Sequence, residues 1–256
     1  MDDYTKKNSE TTDRWIDEGW CWGMPISAEE CEKVRQCEWS VVLTPTVAVP
    51  KDWFPKLKGK KLLGLASGGG QQMPVFALLG ADCTVLDYSD KQLESERMVA
   101  ERESYKINIV KADMTKPLPF DDSAFDIIFH PVSNCYIEVV HHIWRECFRV
   151  LKRGGVLLSG LDNGINFLFK EGDDNTEPLV ISNKLPFNPL KNPEHMKLLQ
   201  DEDCGIQFSH SFNEQIGGQL KAGFVITAAY EDYNDTASVL TKYGIPSFWA
   251  TRAVKP

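Results

Sequence analysis

Lys60-Lys61-Leu62-Leu63-Gly64-Leu65-Ala66-Ser67-Gly68-Gly69-Gly70-Gln71-Gln72 is an apolar run that breaks into three consecutive glycines and then into a helix-compatible segment. That order predicts a strand, a tight loop and a helix, which together form a cradle for a small ligand. Glycine tolerates positive φ and lets the backbone come close to a bound molecule, and amides at a helix start favour a carboxylate or phosphate. Many glycine-rich loops are plain turns, so the distance to the next feature carries the reading. Cys83-Thr84-Val85-Leu86 is apolar and β-branched and ends in Asp87, 19 positions after Gly68. An acid at the tip of a second strand, about 20 residues beyond the glycines, is placed to accept hydrogen bonds from ribose hydroxyls. The plainer alternative is that Asp87 only precedes a helix start at Ser89. The first reading predicts a nucleoside site.

The dinucleotide fingerprint asks for glycine at three positions of G-x-G-x-x-G, the last for close helix-to-strand packing. Gln71 stands at that last position. From these residues the chain resembles the class I S-adenosylmethionine-dependent methyltransferases, whose loop after the first strand follows an acidic-x-G-x-G-x-G pattern. Ala66, Gly68 and Gly70 fall on the three glycine positions, and Gly64 stands where the family has the acid. The resemblance continues in order through Ile107-Asn108-Ile109-Val110-Lys111-Ala112 with Asp113-Met114, through Pro117 to His130, and through Phe148 to Leu158. It covers about residues 58 to 161, and 213 to 254 more loosely.

The resemblance implies a doubly wound α/β fold. Its sheet would be mostly parallel and seven-stranded with an antiparallel last strand, helices on both faces, an N-terminal helical and aromatic appendage over 1–57, and a cofactor domain over 58–256. It implies S-adenosylmethionine as cofactor, held by Ala66, Ser67, Gly68, Gly70 and Gln71 at one end and by Asp87 with Tyr88 at the sugar. Asp113 would lie by the adenine amino group with Met114 on the ring, and the carbonyl of His130 by the cofactor's ammonium. Asp113 also has a turn reading beside Thr115-Lys116-Pro117.

The chain has 256 residues, enough for one α/β domain with an ample core. Its net charge of −9 argues against a broad phosphate-binding surface, so nucleic acid is not an expected partner. The seven cysteines are an odd number with no C-x-x-C pair, which suits reduced thiols in the cytoplasm better than disulfides or zinc. No apolar run is long enough to span a membrane. A homodimer is compatible with this composition.

Five of the seven tryptophans lie in the first 57 residues. They read either as a flap over the cofactor and acceptor or as anchors that dock the appendage on the core. Ser27 with Glu30 predicts a capping box and a helix over 28–37, and Trp39 to Pro50 predicts an extended approach that lines the site. Ser89 with Gln92 predicts a second capping box, opening a solvated helix of scaffold. Ile137, Val140, Trp144, Cys147, Phe148 and Leu151 share one helical face, with Gly154-Gly155 ending that helix. Residues 162–212 break the α/β rhythm, and an insertion of about 50 residues predicts a lid, here holding a small β element at Pro178-Leu179-Val180-Ile181. Phe212 to Ala222 predicts a helix, and Gly223 to Tyr230 and Ser247 to Val254 predict the closing strand pair.

Chemistry in an open α/β sheet sits at the carboxyl ends of its strands, which points to His130-Pro131-Val132-Ser133-Asn134-Cys135-Tyr136. His130 has a suitable ordinary pKa for a general base, or else shapes the loop. Ser133, Asn134 and Tyr136 are candidates for orienting the acceptor, or serve the turn. Cys135 reads as a buried thiol. His141-His142 lacks the i, i+4 spacing of a metal pair, and His195 and His210 have no visible partners in sequence. The expected function is methyl transfer from S-adenosylmethionine to a small-molecule acceptor. A nicotinamide-dependent oxidoreductase of similar fold and a non-catalytic S-adenosylmethionine-binding protein are the alternatives.

Overall fold

Side chains alternate across the pleat, and the core is built on that alternation. In β1 (Lys61–Leu65) Leu62 enters one apolar layer while Leu63 and Leu65 enter the other. β4 (Phe125–His130) repeats the pattern, with Ile127 and Phe129 beside Leu62 and Ile128 beside Leu63. A strand covered on both faces reads as a near-continuous apolar run, which is why these segments were legible. The computed structural model describes residues 3–170, 177–202 and 204–256.

β2 (Asp82–Asp87), β3 (Asn108–Lys111), β5 (Leu151–Asp162), β6 (Val225–Asp232) and β7 (Phe248–Val254) complete one sheet in the order β3-β2-β1-β4-β5-β7-β6. The pairs from β3 across to β5 are parallel, and β7 runs antiparallel to both β5 and β6. The expected doubly wound sheet with an antiparallel last strand is the one observed. Strand order reverses between β1 and β4, which makes the crevice at their carboxyl ends the topological switch point.

One face carries α2 (Ala28–Arg35), α3 (Met73–Leu78) and α4 (Asp90–Glu103), and the other carries α5 (His141–Val150) and α7 (Phe212–Ala222). The capping box of Ser27 and Glu30 opens α2 as expected. At Ser89 the capping is single: its hydroxyl accepts from Gln92 N, while its own amide donates to Asp87 Oδ1 at 3.1 Å. Gly64 lies against α3, where an added Cβ would overlap Met73 Sδ, so the family's acidic position is closed here by core packing.

Two expected boundaries move. α5 begins at His141, leaving Ile137 extended, and it ends at Val150, before the glycines. β5 starts at once: Phe125 pairs Leu151 and Ile127 pairs Val156, so Gly154, at φ +74, turns a bulge inside the strand. The β element expected at Pro178–Ile181 is absent among the described residues. No strand edge meets it, Val180 and Ile181 are exposed, and the next amides, Ser182 and Asn183, bond to Leu168 O at 2.8 and 3.0 Å.

The rest of the insertion contributes α6 (Pro193–Glu202) and a small apolar cluster of Phe187, Leu199 and Cys204; residues 171–176 and 203 of the expected lid lie outside the described residues. α1 (Asp3–Asp17) runs along α4, and α8 (Val239–Lys242) precedes β7. Of the tryptophans, Trp39 packs on Phe54 and Trp53 on Tyr230, as anchors would. Trp20 and Trp22 line the cavity described next.

Candidate functional site

The backbone after β1 bends sharply: Ala66 has φ +48, Gly69 φ +100 and Gly70 φ +68. The loop's amides turn inward. Gly68 N donates to Asp87 Oδ2 at 3.1 Å, Gly69 N to Gln92 O at 3.0 Å, and Gly70 N to Glu96 Oε1 at 2.7 Å. Two of these donors therefore hold the protein's own carboxyl groups and the third a backbone carbonyl, where the sequence suggested an external anion. No side chain fits at Gly68, since an added Cβ would lie 2.7 Å from Gln92 Cβ and 3.0 Å from Asp87 Oδ2.

Asp87 closes β2 with one oxygen on Gly68 and the other on Ser89. Burial pushes its pKa up to about 6 against the pull of those backbone donors. Glu96 is fully buried one helical turn beyond Gln92, and burial pushes its pKa up to about 8. Its Oε2 has no partner among the described residues. The charged run of this helix suggests solvated scaffold, yet Gln92 and Glu96 at i, i+4 share one face, and that face meets the glycine loop.

A cavity of about 360 Å³ opens at the switch point. Of the residues expected in the site, Ala66, Ser67, Gly68, Gln71, Asp87, Tyr88, Asp113, Met114, Ser133 and Tyr136 line it. Ser67 Oγ is buried and has no partner among the described residues. Gly70, His130 and Asn134 do not line it.

His130 is buried completely, with Nδ1 2.9 Å from Leu65 O and Nε2 2.9 Å from Asn134 Oδ1. Two oxygen partners would suit an imidazolium, yet burial holds the His130 pKa below its usual value. The ring sits between Leu65 O and Asn134 Oδ1, and the tautomer decides which nitrogen donates. Asn134 meets Gln215 at 3.1 Å on its far side. The imidazole thus ties β1 to the loop after β4 and faces no acceptor space. In that geometry the His130 ring and Asn134, expected as base and acceptor-orienting group, stand behind the cavity wall.

His210 has partners that sequence did not reveal. Its Nε2 donates to Asn134 O at 3.0 Å and Ile137 O at 2.9 Å, so the insertion pins the same loop. His195 Nδ1 accepts from Asn188 N at 3.1 Å, and its ring stacks on Phe187. Ser133 Oγ donates to Pro131 O at 3.0 Å, a turn contact at the cavity wall.

Three segments roof the cavity. From α1, Thr5 donates to Asp113 Oδ2 at 2.9 Å, Ser9 to Tyr88 O at 3.0 Å, and Asn8 Nδ2 to Ile206 O at 2.9 Å. The segment from Val42 to Pro45 crosses β5 at Gly160, where a side chain would overlap Leu43 O, and Leu43 O also accepts from Val132 N at 3.0 Å. Asp232 holds that segment through Thr46 N at 2.8 Å and Val47 N at 3.0 Å. The insertion supplies Asn166, Phe167 and Gln207. At the end of β5, Asp162 enters the same cavity.

Residues 63–159 match the family described as "Methyltransferase domain". The chain is 43% identical over 250 residues, 97% of each protein, to the uncharacterized methyltransferase YbaJ of Bacillus subtilis (strain 168). Among solved structures it is similar to an S-adenosylmethionine-dependent methyltransferase from Mesorhizobium loti, at TM-score 0.62 and 18% identity over 80% of this chain and 94% of that one. A second, from Listeria monocytogenes, matches at TM-score 0.59 and 16% identity over 80% and 95%. At those identities the two structures speak for the fold.

Proposed function

Since this chain belongs to the S-adenosylmethionine-dependent methyltransferases, we propose that it methylates a small molecule enclosed with the cofactor in one cavity. One observation carries this reading. The cavity of about 360 Å³ joins the Asp87 end of the site to the ends of β4 and β5 under a roof drawn from α1, the Val42–Pro45 segment and the insertion. That volume lies within the roughly 300 to 1,000 Å³ of small-molecule sites, and a partly roofed pocket suits a small acceptor better than a polymer. The net charge of −9 argues in the same direction against nucleic acid.

The residues present fit the cofactor. Asp87 has two oxygens already oriented by Gly68 and Ser89, with lone pairs left for the ribose hydroxyls. Asp113 and Met114 line the end where the adenine would lie, and Ser67 Oγ offers an unused hydrogen-bonding group beside the glycines. S-adenosylmethionine supplies an electrophilic methyl on a sulfonium. The chain's part is to bind it, exclude water and hold the acceptor in line, and such positioning can lower a barrier by roughly 7 to 11 kcal/mol. Ser133 and Tyr136 orient the acceptor in this proposal, and His130 and Asn134 hold the loop that carries them. The described parts of 1–57 and 162–212 serve as the roof.

The same reading puts the enzyme in the cytoplasm, supported by its seven free cysteines, and keeps a homodimer as a proposal for sedimentation to decide. No helix among the described residues is long and apolar enough to cross a membrane. Neither an oxidoreductase nor a non-catalytic reading gains support from the relatives. Calorimetry with S-adenosylmethionine should show micromolar binding, and pooled small molecules should drive release of S-adenosylhomocysteine. Release only with protein or nucleic acid substrates would overturn the small-molecule reading.

A further inference from the structure

The cofactor end of the cavity accounts for two of its carboxylates, Asp87 and Asp113, at the ends of β2 and β3. Asp162 remains. It closes β5, which lies two strands from β1 on the far side of β4, so it stands about 10 Å across the sheet from the glycine loop. It is 8% exposed and lines the cavity with Cys135, Asn166, Phe167 and Phe248. Its Oδ1 accepts from Gly164 N at 2.6 Å and its Oδ2 from Asn166 Nδ2 at 3.1 Å. Asn166 is itself oriented, its Oδ1 accepting from Asn234 Nδ2 at 2.9 Å. A carboxylate has about four acceptor positions, so each oxygen keeps one that these two donors do not use.

Nothing cationic offsets this group. Among the described residues no Lys, Arg or His lines the cavity, and the one titratable group that couples to Asp162 is the buried Cys135 thiol, itself pushed up by burial. The wall around it is otherwise apolar, with Pro45, Val132, Ile137, Phe167 and Phe248. An anionic acceptor would bring a second uncompensated negative charge into that pocket, and a cation would supply the missing counter-charge.

We propose that the acceptor is a small amine of largely apolar body, with its nitrogen held against Asp162. This rests on the small-molecule reading above. The bound ammonium first gives one proton to solvent water, and in the transfer the freed amine lone pair forms the new bond to the methyl carbon while the carbon–sulfur bond breaks and leaves its electron pair on sulfur. Positive charge moves from sulfur to nitrogen, where the Asp162 carboxylate faces it and afterwards accepts the hydrogen bond of the N–H. Burial pushes the Asp162 pKa up to about 6, so it is ionised near neutral pH. A carboxylate of that basicity stabilises a developing ammonium but is far too weak to deprotonate an aliphatic hydroxyl, which is why an amine fits better than an alcohol.

The test uses benzylamine, benzyl alcohol and benzoate as probes, titrated calorimetrically at pH 7.5 into the protein saturated with S-adenosylhomocysteine. Benzylamine should bind at least about 10-fold more tightly than either analogue. Asp162→Asn should abolish that preference while holding S-adenosylhomocysteine affinity within about twofold. Benzoate or benzyl alcohol binding the wild-type protein as tightly as benzylamine, or benzylamine failing to bind at millimolar concentration, overturns the inference whether or not the variant folds. A preference that persists in Asp162→Asn also overturns it. Failure of the wild-type protein to bind S-adenosylhomocysteine would instead sink the cofactor reading, and the two results are separate measurements.

Discussion

The amide of Gly70 donates to Glu96 Oε1 at 2.7 Å, and Glu96 is fully buried. With Asp87 on Gly68, this gives the glycine loop two internal carboxylate anchors, one from the strand before α4 and one from α4 itself. The loop's shape is therefore set by protein groups before any ligand arrives, and both anchors titrate above the ordinary carboxylate range.

Glu96→Gln should keep the bond to Gly70, because the amide oxygen still accepts. The native Glu96 pKa, raised from 4.5 to about 8, means the folded state binds the proton more tightly than the unfolded chain. Its contribution to stability is then fully present below pH about 4.5 and declines as pH rises toward 8, by up to about 1.4 kcal/mol per unit. The variant should gain stability over wild type as pH rises from 5 to 9 in urea-melt series; a flat or opposite difference removes Glu96 as the titrating anchor.

Asp87→Ala should weaken S-adenosylmethionine binding by about 1.5 to 3 kcal/mol, the scale of hydrogen bonds to a charged group. The ionised form is the one that can accept from both ribose hydroxyls, so wild-type affinity should rise with pH through about 6 and then level off. Calorimetry across pH measures both, and an affinity indifferent to the substitution would take Asp87 out of the site.

His130→Ala should act on stability first. It removes a buried ring bonded at both nitrogens and should lower stability by about 2 to 4 kcal/mol, because the Leu65 carbonyl is left without its ring partner. Whatever activity remains should keep the wild-type pH–rate profile. Loss of the acid limb from that profile would restore the base role.

Ala66→Gly relieves a non-glycine residue at φ +48. The left-handed conformation costs an L-residue roughly 1 to 2 kcal/mol, part of which glycine's greater unfolded-state freedom offsets. A net gain of up to about 1 kcal/mol is expected by thermal unfolding, with the cofactor affinity retained. A clear loss would mean that the Ala66 methyl is needed where it lines the cavity.

Local pattern carried the architecture. Leu62-Leu63, Val85-Leu86 and Ile127-Ile128-Phe129 have to be strands because both faces of a central parallel strand are covered, and the glycine triplet and Asp87 come together at the strand ends that line the cavity. Ser27 and Glu30 cap α2 from within three residues of each other. Errors arose where a local signal had a distant competitor. Pro178 to Ile181 has strand-like composition but no strand pairs with it among the described residues, and the glycines at 154–155 look like a helix stop although sheet pairing has already begun at Leu151.

The amino-acid sequence alone determined the fold class and the family, since these follow from periodicity and short-range spacing. The tertiary structure decided what each polar group does there. Thr5 meets Asp113 across 108 positions, Gln215 meets Asn134 across 81, and His130 meets Leu65 across 65. No spacing rule reaches that far: whether a histidine or a carboxylate faces ligand or backbone depends on burial and on partners that the sheet order brings together. That is why His130 turned inward to hold a loop, and why Glu96 and Asp162 emerged only once the strands and helices were in place.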